Sequence, residues 1–149
     1  MGLGPIVDGT KDDLLEELNA FLRMASISAR EDDSGGFRGC AEWVAGKLEE
    51  AGAEARIMET AGHPVIYAEI GSGEQTLLSY GHYVVQPPEP LELWESDPFE
   101  PTVRDGGLFA RGVADDKGDV LARIQALRLY VGEHGPPPFK LKFLVEGEE

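Results

Sequence analysis

The chain has 149 residues, 42% of them hydrophobic, which is enough for one domain whose core buries roughly two thirds of the unfolded surface. Its formal charge of −15, with no lysine or arginine cluster to offset it, argues against a nucleic-acid partner and against an anionic membrane. The single cysteine excludes an internal disulfide and no apolar run reaches the length of a secretory h-region or a membrane span, so a soluble, cytoplasmic protein is expected.

Along the chain, Leu14, Leu15, Leu18, Phe21 and Leu22 recur at helical spacing behind acidic residues and predict an amphipathic helix over Asp12 to Met24. Ser26 to Gly36 is polar and reads as a loop. Phe37, Cys40, Ala41, Val44, Leu48 and Ala51 build a second helical stripe, ended by Gly52 as a C-cap, and place Cys40 as an inert buried thiol beside Ala41 and Trp43. Ala53 to Glu59 and Val65 to Ile70 are short alternating runs joined through Gly62-His63-Pro64, and Gly71-Ser72-Gly73 makes the next turn. Gln75 to Tyr80 is more apolar and reads as a strand buried on both faces, with His82 emerging at its C-terminal end.

Val85 to Pro101 is rich in proline and aromatics, a loop anchored by Trp94 and Phe99. Thr102 to Arg104 and Leu108 to Ala110 flank a glycine turn as a hairpin. Val120, Leu121, Ile124, Leu127 and Val131 mark a helix running to Gly132, and Phe139 to Val145 is the last strand. Helices interleaved with strands indicate an α/β layered domain.

Three features carry chemistry: His82 after a strand, Asp115-Asp116-Lys117-Gly118 before a helix, and the closing Glu146-Gly147-Glu148-Glu149. Each has an ordinary structural explanation by itself. Together they match what a hydrolytic metal site needs: neutral imidazole and ionised carboxylates at about 2.0–2.2 Å from the ion, and a separate carboxylate to accept a proton from water. Strand ends gathered at the carboxyl edge of an α/β sheet bring such groups together.

The motifs Tyr80-Gly81-His82-Tyr83-x-Val85-Gln86-Pro87, Trp94-x-x-x-Pro98-Phe99, Arg111-Gly112-x-x-Asp115-Asp116-Lys117-Gly118 and Glu146-Gly147-x-Glu149 resemble, in order, those of a di-zinc exopeptidase and deacylase family. That family includes carnosinase-like dipeptidases, carboxypeptidase G, aminoacylase and succinyl-diaminopimelate desuccinylase; the Gln86-Pro87 and Trp94 to Phe99 segments look like its dipeptidase branch. The resemblance implies a three-layer α/β/α sandwich with a central mixed sheet, the zinc-exopeptidase-like fold in truncated form. Residues 1–149 would be the N-terminal part of the catalytic domain, without the dimerisation or lid domain and the C-terminal part. It implies that His82 binds one metal, that Asp115 bridges two, and that the peptide between Asp115 and Asp116 is a candidate for the cis form. The spacing from Asp115 in relatives makes Glu149 the general base, with Glu148 as base and Glu149 as ligand if the register shifts by one.

Val84 departs from the pattern, since the family has His-x-Asp there, with the aspartate orienting the imidazole. The expectations that follow are a truncated metallopeptidase, inactive as this chain, holding at most one zinc ion weakly, with manganese or cobalt as substitutes and a dipeptide or N-acyl amino acid as the substrate of intact relatives. The alternatives are a non-enzymatic binding or oligomerisation module of the same fold, and an enzyme that takes ligands from another chain. His63, before a proline, and His134, at a helix end, read as structural. A homo-oligomer is expected through an exposed sheet edge, assigned to the Phe139 to Val145 strand.

Overall fold

The computed structural model describes residues 4–28 and 36–149; within the expected loop Ser26 to Gly36, residues 29–35 lie outside the described part. Helix α1 (Gly4–Leu22) begins before the periodic stretch, and α2 (Gly36–Glu50) and α3 (Lys117–His134) follow the predicted stripes, α3 continuing through Gly132. The strands are β1 (Glu54–Met58), β2 (Val65–Ile70), β3 (Thr76–His82), β4 (Thr102–Arg104), β5 (Gly107–Phe109) and β6 (Lys140–Glu146). Gly52 closes α2 at a φ of 89°, a conformation that disfavours side chains.

The main sheet has the order β1-β2-β6-β3, with β1 and β6 antiparallel to β2 and with β3 parallel to β6. Strands β4 and β5 form a separate hairpin. Two expectations change here. Strand β6 is not an exposed edge but is paired on both sides, and β3, read as buried on both faces, is an edge strand with Leu77, Leu78 and Tyr80 more than half exposed. An apolar run reports a wish for cover, while strand order depends on pairing between distant segments.

Alternation along the strands sorts the sheet into two faces. Ile66, Ala68, Ile70, Phe143 and Val145 join Phe37, Cys40, Ala41, Val44 and Leu48 of α2 and Val120, Leu121, Ile124 and Leu127 of α3 in one core, so the helices share a face. Truncating a large member such as Leu48 or Ile124 to alanine would cost about 2–5 kcal/mol. The opposite face carries a polar network: the Arg56 guanidinium lies 4.7 Å from the Tyr67 ring centre, and Tyr67 Oη donates to Glu69 Oε2 at 2.6 Å. The mixed sheet with helices is as expected; of the three layers, two are formed by the described residues.

Glu17 ties the helices together. Its carboxylate accepts from Arg128 (2.8 and 3.0 Å) and Gln125 (2.8 Å) of α3 and pairs with Lys47 of α2 at 3.0 Å. Partial burial pushes its pKa up, but these hydrogen bonds outweigh that and bring it from 4.5 down to about 2. A depressed folded-state pKa means stability that is present above about 4.5 and is lost as the pH falls through that value toward 2. Glu17→Gln is therefore expected to cost about 2 kcal/mol at neutral pH, and urea titrations should show the gap from the native chain narrowing between pH 4.5 and 2. A pH-independent gap would refute the assignment.

Candidate metal centre

Because β3 and β6 run parallel with His82 opposite Glu146, both strands end at the same edge of the sheet. Beyond His82 the chain bends at Tyr83 and is gripped from two sides. Tyr83 N–H donates to Glu146 O at 2.9 Å, Val85 N–H to Ser26 O at 2.8 Å and Ser28 N–H to Val85 O at 3.0 Å. Ser26 Oγ donates to Tyr83 O at 2.6 Å, and Tyr83 Oη to Pro64 O at 2.8 Å. Tyr83, Val84 and Val85 are fully buried, so the His82 side chain is held at the sheet edge by a fixed main chain.

Asp115 arrives from the turn before α3, where the Asp115–Asp116 peptide is cis. The turn is compact because Gly118 has no side chain; a Cβ there would stand 2.0 Å from Val113 O. Lys117, buried, locks the helix start to the end of α1, its Nζ donating to Phe21 O at 3.2 Å and also to Met24 O. Burial lowers the pKa of this ammonium, and the carbonyl-rich C-terminal end of α1 is the side of a helix that favours a cation.

The third segment leaves β6 through Gly147, where a Cβ would lie 2.5 Å from both His63 Cβ and Tyr83 Oη. Glu148 then turns back, its Oε1 accepting from His63 N–H at 2.9 Å. Glu149 turns the other way, toward His82.

His82 Nε2 stands 3.1 Å from Asp115 Oδ1, and Nδ1 stands 3.9 Å from Glu149 Oε2. One ligand atom from each of the three residues falls within 4.8 Å of the others. Side-chain exposure is 14% for His82, 73% for Asp115 and 18% for Glu149, so the centre is closed on one side and open on Asp115's. His82 Nδ1 is 2.9 Å from Val84 O. A carbonyl only accepts, so Nδ1 is the donor toward Val84 O, and Nε2 is the nitrogen that faces the Asp115 carboxylate, where a cation between them would take it as a ligand. Among the described residues no lysine or arginine forms an ion pair with Asp115 or Glu149. One imidazole nitrogen and two carboxylates without a cationic partner suit a divalent cation with nitrogen and oxygen preference.

His82, Asp115 and Glu149 are thus brought together, while Glu148 is directed to the Gly62-His63 turn. The missing carboxylate at position 84 is partly replaced: the valine side chain sits in the core and its main-chain carbonyl orients the imidazole. A reading of side chains had no signal for that acceptor. His63 stacks on Phe37 with ring centres 3.7 Å apart, and His134 lies 4.9 Å from Tyr130 at the end of α3.

Residues 78–149 match the sequence profile described as Peptidase family M20/M25/M40. A succinyl-diaminopimelate desuccinylase of Xanthomonas oryzae pv. oryzae is 40% identical over 138 residues, spanning 93% of this chain and 35% of that protein. An M20 family metallo-carboxypeptidase of Sulfolobus solfataricus superposes with a TM-score of 0.83 at 37% identity, over 91% of this chain and 31% of the other. Human carnosine dipeptidase 1 superposes with a TM-score of 0.85 at 29% identity, over 96% and 33% respectively. The chain therefore spans about a third of the length of these relatives.

Val84→Asp tests the trade at position 84. A carboxylate in a fully buried site is expected to lower the stability of the metal-free chain by about 2–4 kcal/mol, measured by chemical denaturation. A charged acceptor makes the imidazole more basic than a neutral carbonyl does, so zinc affinity by calorimetry should rise about tenfold. Equal affinity in both chains would show that the Val84 carbonyl already suffices.

Proposed function

Because the chain belongs to peptidase family M20/M25/M40, we propose that it contributes His82, Asp115 and Glu149 to a metal-dependent centre that hydrolyses an amide bond in a dipeptide or N-acyl amino acid. The supporting observation is the meeting of one imidazole and two carboxylates at the shared end of β3 and β6. In this reading His82 Nε2 and Asp115 hold the ion, zinc by preference and manganese or cobalt as substitutes. When bound, the cation supplies Lewis acidity, polarising the amide carbonyl and acidifying water. Glu149, at the covered side of the cluster, takes a proton from the attacking water and passes it to the departing amine as the C–N bond breaks. The Val84 carbonyl holds the imidazole in the tautomer that ligation requires. A cytoplasmic setting belongs to the same reading, supported by the one cysteine, a buried free thiol.

Three ligand-capable side chains suit one ion, whereas two-metal hydrolysis needs ligands on both ions. The 149-residue chain is accordingly expected to bind at most one zinc ion, and to release no amino acid from dipeptides with zinc, manganese or cobalt present. Turnover that follows the protein through purification and is abolished by His82→Ala would overturn this.

The exposed β3 edge supports a second reading, an association module. Leu77, Leu78 and Tyr80 border the edge, and an apolar groove of about 660 Å³ lined by Leu77, Leu127, Tyr130, Phe139 and Leu141 runs beside it. No carboxylate and no ammonium interrupts Thr76 to His82, the usual protection of an edge strand. The copy-to-copy contact proposed here is antiparallel pairing of β3 with β3 about a twofold axis. Light scattering at micromolar concentration should show a dimer that Leu78→Lys dissociates; a monomeric native chain would count against it.

A further inference from the structure

An edge strand points every second residue's N–H and C=O away from its neighbour. In β3 the odd-numbered residues face β6, as Lys140 N–H donating to Gln75 O and Tyr83 N–H donating to Glu146 O show, so Leu78, Tyr80 and His82 face outward. At the His82 end these groups are not free. Tyr80 O accepts from Arg123 Nη1 at 2.7 Å, and His82 N–H donates to Asp116 Oδ2 at 3.3 Å.

Asp116 occupies the N-cap position of α3, where a carboxylate ordinarily accepts from the first-turn amides. Here it makes no such bond and is turned toward β3 instead. The approach requires the glycine at 81: a Cβ there would lie 2.4 Å from Asp116 Oδ2 and 2.6 Å from Val120 Cγ2. Asp116 is joined covalently to Asp115, whose Oδ1 is 3.1 Å from His82 Nε2. The contacts close a ring in which the His82 main chain and side chain are held by two consecutive aspartates.

We infer that Asp116 is a positioning residue, whose carboxylate gives up helix capping to grip the His82 amide and so sets the spacing between His82 and Asp115. The inference rests on the reading that those two residues hold the metal ion. Asp116 itself faces a main-chain donor and lies outside the three-residue cluster.

The test uses the 149-residue chain, zinc titration by calorimetry and hydrogen exchange of individual amides by NMR. Asp116→Ala should weaken zinc binding about tenfold or more, the usual effect of losing an orienting partner. Asp116→Asn keeps an acceptor oxygen and should stay within about threefold of the native affinity. Asp119→Ala, one turn along the same helix, should leave affinity unchanged. In the native chain the His82 amide should exchange far more slowly than an unstructured amide of the same local sequence, and Asp116→Ala should abolish that protection. Zinc binding that depends on His82 but is the same in Asp116→Ala overturns the inference. So does a native His82 amide that exchanges as fast as an unstructured amide, a measurement that stands even if Asp116→Ala does not fold. Zinc binding unaffected by His82→Ala would defeat the metal reading instead, and the amide result would then still decide whether Asp116 grips His82.

Discussion

The parallel pairing of β3 with β6 is the constraint from which the rest of the centre follows. It places His82 opposite Glu146, so that the two chain segments leaving the sheet begin side by side. A one-residue slip of β3 would turn His82 to the other face of the sheet, and one of β6 would carry Phe143 and Val145 out of the core, which is why the register is strongly held. Strand β2 runs the opposite way, so its beginning meets this edge. The groups it brings are main-chain ones, Pro64 O for Tyr83 Oη and His63 N–H for Glu148. The antiparallel neighbour thus supplies anchoring, and the parallel pair supplies the side chains of the site.

The third contributor comes from across the core. Asp115 reaches His82 because α3 starts where α1 ends, and that junction is held by a buried lysine rather than by apolar contact alone. Burying an ammonium is costly unless its donors are used. Lys117 uses them on carbonyls of α1's last turn and the residues just beyond it, with the Phe21 ring centre 4.9 Å away. At the other side of the same helix pair, Glu17 draws Arg128, Gln125 and Lys47 to one carboxylate. In a chain of net charge −15, three cations, Lys47, Lys117 and Arg128, join helices to α1. Asp115 and Glu149 are left without an ammonium or guanidinium partner among the described residues, and that local excess of negative charge is what makes the cluster attractive to a cation.

Much of this was legible from residue types because it depends on local periodicity. The stripe from Phe37 to Ala51 gave α2, and Val65 to Ile70 gave β2 at its observed bounds. The ordered motifs around His82, Asp115 and Glu149 identified residues that the fold does bring together. Strand order was not legible: Leu77 and Leu78 look like core residues but border an open edge, while the strand of Leu141, Phe143 and Val145 is central. The early start of α1 was hidden because Gly4 to Lys11 lacks the apolar repeat. The acceptor for His82 was also hidden, since every residue has a carbonyl and only the fold decides where it points.

That carbonyl explains how a valine can stand two residues after the histidine of a candidate metal centre. An imidazole needs one nitrogen protonated and tied for the other to be presented as a lone pair. Carboxylate and carbonyl both meet the geometric requirement; they differ in charge. With valine at 84, the side chain joins the core without cost of desolvation while the main chain does the orienting. The charge that a carboxylate would have contributed to ligand basicity is absent, and the electrostatic pull on a cation then falls to Asp115 and Glu149. Of these, Asp115 is largely exposed and screened by water, while the side chain of Glu149, though not the residue as a whole, is mostly covered. The centre therefore owes its orientation to the backbone, and the way the chain leaves β6 through Gly147 decides where Glu149 stands relative to His82.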